Sequence, residues 1–194
     1  MIKMGVEIVG IQSGRRRFVT ATTTPLVTFE ELERISESEG CYELRHGELV
    51  KLPPPIHEHG LVQWQLLELL RAAVGDAGIV RAELGFRALP DYEYRVADVA
   101  FVAKARWESV PRKGYLQGAP EIVMEVLSPS NSAREMLDKE QLCLENGARE
   151  FWVVDPFRRQ VKVSTADGRA MVYKPGTRIP LLFGGSLDVD TIFV

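Results

Sequence analysis

Glu121-Ile-Val-Met-Glu-Val-Leu-Ser-Pro129, then Ser132-Ala-Arg-Glu135, then Glu150-Phe-Trp-Val-Val-Asp155 is the run whose reading decides the fold. Glu121 to Leu127 is rich in Ile, Val and Met, the composition of a strand at a sheet centre, and Ser128-Pro129 ends it. Ser132-x-x-Glu135 is a capping box, in which hydroxyl and carboxylate each satisfy a free amide of a helix's first turn. The predicted helix runs to about Asn146, and Gly147 supplies the residue that closes it. Glu150 to Val154 is a second core strand, ended by Asp155-Pro156. Strand, helix and strand joined this tightly favour one parallel pair with the helix packed back on the sheet.

Upstream, Ile79 to Ala88 and Arg95 to Val102 read as strands separated by a turn at Pro90-Asp91. His57 to Val74 is a helix, with Leu61, Val62, Trp64, Leu66, Leu67, Leu69, Leu70 and Val74 as its apolar stripe; Gly75 and Gly78 stop it. Trp64 and Trp152 are expected in the core. Cys41 to Lys51 reads as a hairpin turning at His46-Gly47, broken after its second strand by Pro53-Pro54-Pro55. Thr28-x-x-Glu31 caps a short helix from Phe29 to about Glu37. Trp107 to Gly118 reads as a loop with a partial helix, and residues 160–194 as short strands with Gly and Pro turns. The expected class is α/β with α+β character, built around a mixed sheet and preceded by an N-terminal helix and β-hairpin. One domain is expected over residues 25–194, with residues 1–24 as an arm.

At 45% hydrophobic, 194 residues can bury a sizeable core. A net charge of −3 gives no global positive field, so a nucleic-acid partner requires a local basic groove. Cys41 and Cys143 form neither a metal spacing nor a disulfide framework, which places the chain in a reducing cytoplasm. No apolar run reaches the roughly 18 residues of a membrane span. Arg15-Arg16-Arg17 follows the short apolar start instead of preceding it, unlike a signal peptide. No small-molecule cofactor is expected.

Asp98 and Glu125 stand out chemically. Each sits in an apolar strand, and a buried carboxylate is costly unless paired, hydrogen-bonded or bound to a metal. By alternation, Asp98 shares a face with Val96, Ala100 and Val102, and Glu125 with Glu121, Val123 and Leu127. If the two strands are neighbours, both acids converge on one hard cation, Mg²⁺ or Mn²⁺, with the Val126 carbonyl as a further ligand. Lys139, Cys143 and Gly147 recur every four residues along one helix face that packs near Glu125. Two acids, a cation and an ammonium are the parts of metal-assisted phosphodiester hydrolysis. Plainer readings stand beside this one. Asp98 can pair with Arg95, Glu125 with Lys139 or Arg134, exposed Lys139 with Glu135, and Glu43 across its hairpin. His57 and His59, two apart, do not share a helix face and suit the start of a helix. Glu121 reads as solvated and Asp155 as a turn former.

The ordered set Asp98, Glu125 and a lysine displaced onto the following helix resembles the PD-(D/E)XK nuclease superfamily. More narrowly, the chain is similar to the Uma-type restriction endonucleases of bacteria. The matching stretches are Tyr42 to Val50, His59, Asp98-Val99, Glu125-Val-Leu-Ser-Pro-Ser130, Lys139 to Gly147 and Glu150-Phe-Trp-Val-Val-Asp-Pro156. The resemblance implies a restriction-endonuclease-like fold, a central mixed sheet flanked by helices, and a Mg²⁺-dependent cut of nucleic acid, with Asp98 and Glu125 as metal ligands, Lys139 as the catalytic lysine, Glu43 as an added acid and His59 as an accessory residue. Ala97, Leu127, Cys143 and His46 depart from the residues usual in that family at those positions.

The expected activity is a metal-dependent endonuclease acting on DNA, with Arg45, Arg87 and Arg95 as backbone contacts; a homodimer would suit two-strand cutting. A second reading is a catalytically inactive nuclease-like scaffold that binds nucleic acid or protein. A third is a carboxylate-pair hydrolase acting on sugars, which leaves Lys139 without a task.

Overall fold

The computed structural model describes residues 25–35 and 40–193. The expected N-terminal arm, its three arginines and the end of the first predicted helix lie outside the described residues. Helix α1 (Phe29–Leu32) starts with the expected capping box on Thr28 and Glu31. Strands β1 (Tyr42–Arg45) and β2 (Glu48–Lys51) pair antiparallel. His46 and Gly47 join them with φ of 50° and 78°, the two left-handed positions that match a two-residue turn to the twist of its strands. Helix α2 (His57–Val74) has the predicted span.

The rest of the chain runs β3 (Gly78–Arg87), β4 (Arg95–Ala103), α3 (Lys104–Glu108), β5 (Leu116–Gln117), β6 (Ile122–Val126), α4 (Ala133–Glu145), β7 (Glu150–Asp155), β8 (Gln160–Thr165), β9 (Ala170–Tyr173), β10 (Arg178–Pro180) and β11 (Ser186–Asp188). Strands β3 to β9 form one mixed sheet in the order β5-β3-β4-β6-β7-β8-β9. The decisive strand–helix–strand unit is there: β6 and β7 pair parallel, from Ile122↔Glu150 to Val126↔Val154. Ser132 and Glu135 form the box that starts α4, and Gly147, at φ 114°, follows its end.

Two apolar layers cover the sheet. On one face Val62, Leu66, Leu67 and Leu70 of α2 pack with Val99, Phe101, Met124, Val126, Trp152 and Val154, alongside Ile179 and Leu187 of the β10–β11 hairpin. On the other, Leu142 and Cys143 of α4 pack with Ala100, Val102, Val123 and Phe151. A sheet covered on both faces explains why its central strands are apolar on both.

Three expectations are corrected. Trp64 is 59% exposed, not core. The stripe that packs is Val62-Leu66-Leu67-Leu70, and Leu61 and Trp64 fall outside it, so the apolar face read from sequence was too wide. Glu121 is not solvated: its carboxylate accepts the Ala103 amide at 3.1 Å and lies 3.4 Å from Arg106. The strict alternation read along β4 also slips, because Ala97 packs on the α4 side while Val99 packs on the α2 side. The slip falls at Asp98. Asp155, as expected, forms its turn by accepting the Arg158 amide at 3.0 Å.

Candidate active site

Strands β4 and β6 are antiparallel neighbours, but their pairing stops at Val99↔Met124. Asp98, next in line, is opposite Glu125, and there the ladder gives way to side-chain chemistry. Asp98 Oδ2 accepts the Val126 amide at 2.8 Å. The Asp98 carbonyl accepts from the Gln63 side chain at 2.9 Å. Asp98 Oδ1 lies 3.5 Å from His59 Nε2 on α2. Asp98 therefore pairs with a histidine and caps a strand end, and the plainer pairing with Arg95 is not what holds it.

Glu125 faces α4. Its Oε2 accepts from Lys139 Nζ at 2.8 Å, while its Oε1 is buried with no hydrogen-bond partner. Burial pushes the Glu125 carboxyl up, Lys139 pulls it down and Asp98 pushes it up again, to about 8. Lys139 is 7% exposed, which rules out the exposed pairing with Glu135. Besides Glu125 it donates to Glu43 Oε1 at 3.1 Å and to the Val96 carbonyl at 2.8 Å, so all three of its hydrogens are committed. Burial opposes its charge, but Glu125, Glu43 and Asp98 raise its pKa and hold it as the ammonium.

Glu43 reaches the site from β1, because Leu44 bridges to Tyr94 just before β4. It is 1% exposed and takes the Val96 amide at 3.0 Å and Arg45 Nε at 2.7 Å. Burial would raise its pKa; Lys139, Arg45, the Val96 amide and Arg95 outweigh that and hold it at about 2. For His59, the Asp98 hydrogen bond raises the pKa, burial lowers it, and the Asp98, Glu125 and Glu83 carboxylates raise it further. His57, two residues away, is exposed.

Sequence reading missed an ionic chain behind the site. Arg95, expected as a phosphate contact, is 1% exposed. It donates to Glu93 at 2.9 Å and to Asp138 at 3.0 Å. Nδ1 and Nε2 of His46 lie 2.6 Å from Glu93 and 2.7 Å from Asp138. A guanidinium this buried is satisfied by acids and offers nothing to a phosphate. Arg45 is likewise engaged, by Glu43 and Glu135, and Arg87 stacks over the Phe29 ring at 3.8 Å. A cleft beside the start of α4 is lined by Arg45, Arg95, Glu125, Asn131, Glu135, Met136 and Lys139. No sequence signal marked this ionic chain, because Asp138 meets Arg95 and His46, and Glu93 meets His46, across elements distant in sequence, although Glu93 lies only two residues from Arg95.

Among the described residues no three His, Cys, Asp or Glu side chains are arranged to hold a metal ion. Asp98 and Glu125, opposite one another in register, carry carboxylate oxygens of the type a hard cation accepts, and Glu125 Oε1 has no hydrogen-bond partner. A hard cation such as Mg²⁺ accepts one or two carboxylates and keeps several waters, so a third acid is not required.

The family model described as Uma2, Putative restriction endonuclease, matches residues 27–187. This chain belongs to the Uma2 family. Among curated proteins none matches it. A solved structure, "a putative nuclease belonging to DUF820 from Anabaena variabilis ATCC 29413", is similar with a TM-score of 0.75 and 21% identity, covering 86% of this chain and 97% of that one. At that identity the likeness shows a shared fold. The Uma2 match spans every element that carries Glu43, His59, Asp98, Glu125, Val126 and Lys139. No helix among the described residues is long and apolar enough to cross a membrane.

Proposed function

We propose that the chain is a metal-dependent endonuclease that hydrolyses DNA phosphodiester bonds, built as one domain over residues 25–194. The observation that carries the reading is Glu125 Oε1, buried and unpartnered beside Asp98. A buried carboxyl oxygen with no partner next to a second acid is costly to ionise, and a divalent cation would stabilise both groups as carboxylates. Asp98, Glu125 and the Val126 carbonyl would hold Mg²⁺ or Mn²⁺, a donor set of the right chemistry. When bound, such an ion polarises a phosphoryl oxygen and activates water.

The chain's own groups have distinct parts in this reading. His59 and the Val126 amide fix the Asp98 carboxylate from two sides. Glu43 holds Lys139 from the hairpin. Lys139, kept as the ammonium, acts by charge and hydrogen bonding on the negative charge that gathers on the phosphate, and is no base. The non-cutting scaffold is the second reading, favoured by one observation: the three hydrogens of Lys139 are already committed.

The test is plasmid and single-stranded DNA incubated with purified protein in Mg²⁺, Mn²⁺ or chelator, beside Asp98→Ala and Glu125→Ala. Nicking that needs metal and disappears in both variants is the expected result. DNA binding with no cutting under any metal would instead establish the scaffold.

A further inference from the structure

Glu83 stands in the middle of the ten-residue strand β3 with φ of 50°. A non-glycine residue in the left-handed region is uncommon and strained inside a strand, and such residues gather at functional sites. Glu83 is exposed, so no buried packing of its side chain compels the conformation. Its position in the register is the informative part. The β3–β4 pairing runs without a break from Gly78↔Ala103 to Phe86↔Arg95 except at one place, Glu83 opposite Asp98. The β4–β6 pairing stops at the same level, one step before Asp98 would meet Glu125. Glu83, Asp98 and Glu125 thus form one row of acids across three adjacent strands, and Asp98 is skipped by the ladders on both sides.

Like charges placed opposite one another on neighbouring strands are destabilising. Among the described residues, the cations that interact with this row are His59, on which all three acids act, and Lys139, already committed to Glu43, Glu125 and Val96. Glu125 is 6% exposed and its Oε1 has no partner. The row is short of positive charge at a position where a buried acceptor is free.

We infer that Glu83 is an outer carboxylate of the cation site, binding the ion through its water from the β3 side and positioned there by its left-handed backbone. The inference rests on the cation reading proposed above. A water-mediated role follows because no three of these side chains lie close enough to ligate one ion together, whereas Mg²⁺ keeps several waters for outer acceptors.

The experiment is Mn²⁺ titration of the full chain without DNA, followed by calorimetry, for wild type, Glu83→Gln, Glu83→Gly and Asp98→Asn, with Tm measured in chelator. Glu83→Gln and Glu83→Gly should weaken Mn²⁺ binding about 10-fold, the lower end of what loss of an outer partner costs. The Tm of metal-free Glu83→Gly should be at or above wild type, because φ of 50° is open to glycine. Weaker metal binding in a protein that is no less stable is a pattern a merely structural residue would not give. Affinities of both Glu83 variants within about twofold of wild type, with binding lost in Asp98→Asn, overturn the role of Glu83 and leave the cation site standing. Mn²⁺ binding that is absent in wild type, or unchanged in Asp98→Asn, overturns the cation reading itself and Glu83 with it.

Discussion

Lys139 is one ammonium shared by two buried acids, and the stability of the site turns on that ratio. Removing it leaves Glu125 buried without its ion partner, while Glu43 keeps Arg45 at 2.7 Å. Lys139→Met should therefore cost about 3–5 kcal/mol in urea denaturation without metal, the range for breaking a buried pair from one side. Replacing Glu43 and Glu125 by Gln in the same chain should return much of the loss; a single-variant cost under about 1 kcal/mol would show that the pair does not stabilise the fold. Glu43 also sets a pH dependence. Its pKa is about 2 in the folded chain against an ordinary 4.5, so the unfolded chain binds the extra proton. The contribution is present above pH 4.5 and is lost as pH falls through 2. Its full size is about 3 kcal/mol. Urea midpoints between pH 6 and about pH 2.5 should fall steeply for wild type and less for Glu43→Gln. Equal slopes for the two proteins would remove Glu43 from the account.

At the level of elements, those with a local cause were legible in the sequence and those with a distant cause were not. The span of α2, the box that starts α4 and the parallel β6–β7 pair follow from apolar spacing, capping residues and short connections, all of which lie within a few residues. The turn at His46-Gly47 is of the same kind. It yields a test: Gly47→Ala should destabilise the hairpin by about 1–2 kcal/mol, because φ is 78° there. An added Cβ would also lie 2.8 Å from Leu26. The same variant should loosen Glu43, so acid sensitivity should shift with it; a Tm equal to wild type would refute the strain argument. The site was legible only in part. Asp98, Glu125 and Lys139 are visible as charges in apolar or helical patterns, and the structure brings Glu125, Lys139 and Glu43 into contact. Arg95 was read as a phosphate contact or a partner of Asp98 because Asp138, which engages it from α4, lies far along the chain. Glu83 left no mark, since a backbone angle has no residue signature when the residue is not glycine. Trp64 was misplaced because periodicity reports which residues are apolar, not which of them a neighbouring layer covers.

Over the whole molecule, charge works against the proposed substrate and defines what must offset it. The chain carries −3 net, and the cleft presents Glu125 and Glu135 while its Arg45, Arg95 and Lys139 are bound to acids. Arginines committed in this way release few DNA counterions. Each phosphate neutralised by Lys or Arg contributes about −0.9 to the slope of log K against log salt, so a shallow slope is expected, no steeper than about −3. With so little sequence-independent attraction, a divalent cation in the site becomes the main source of local positive potential. Binding to a short duplex should therefore be weak in chelator and strengthen by about tenfold or more in Ca²⁺, a hard cation with oxygen ligands like Mg²⁺. Fluorescence anisotropy at several salt concentrations, with and without Ca²⁺, measures both quantities. The Ca²⁺ effect should vanish in Asp98→Asn while the salt slope stays the same, because the ion and the surface cations act through separate groups. A steep slope that persists in chelator would mean that an unengaged basic surface elsewhere holds the DNA, and the cleft at Glu125 would no longer be where the duplex is bound.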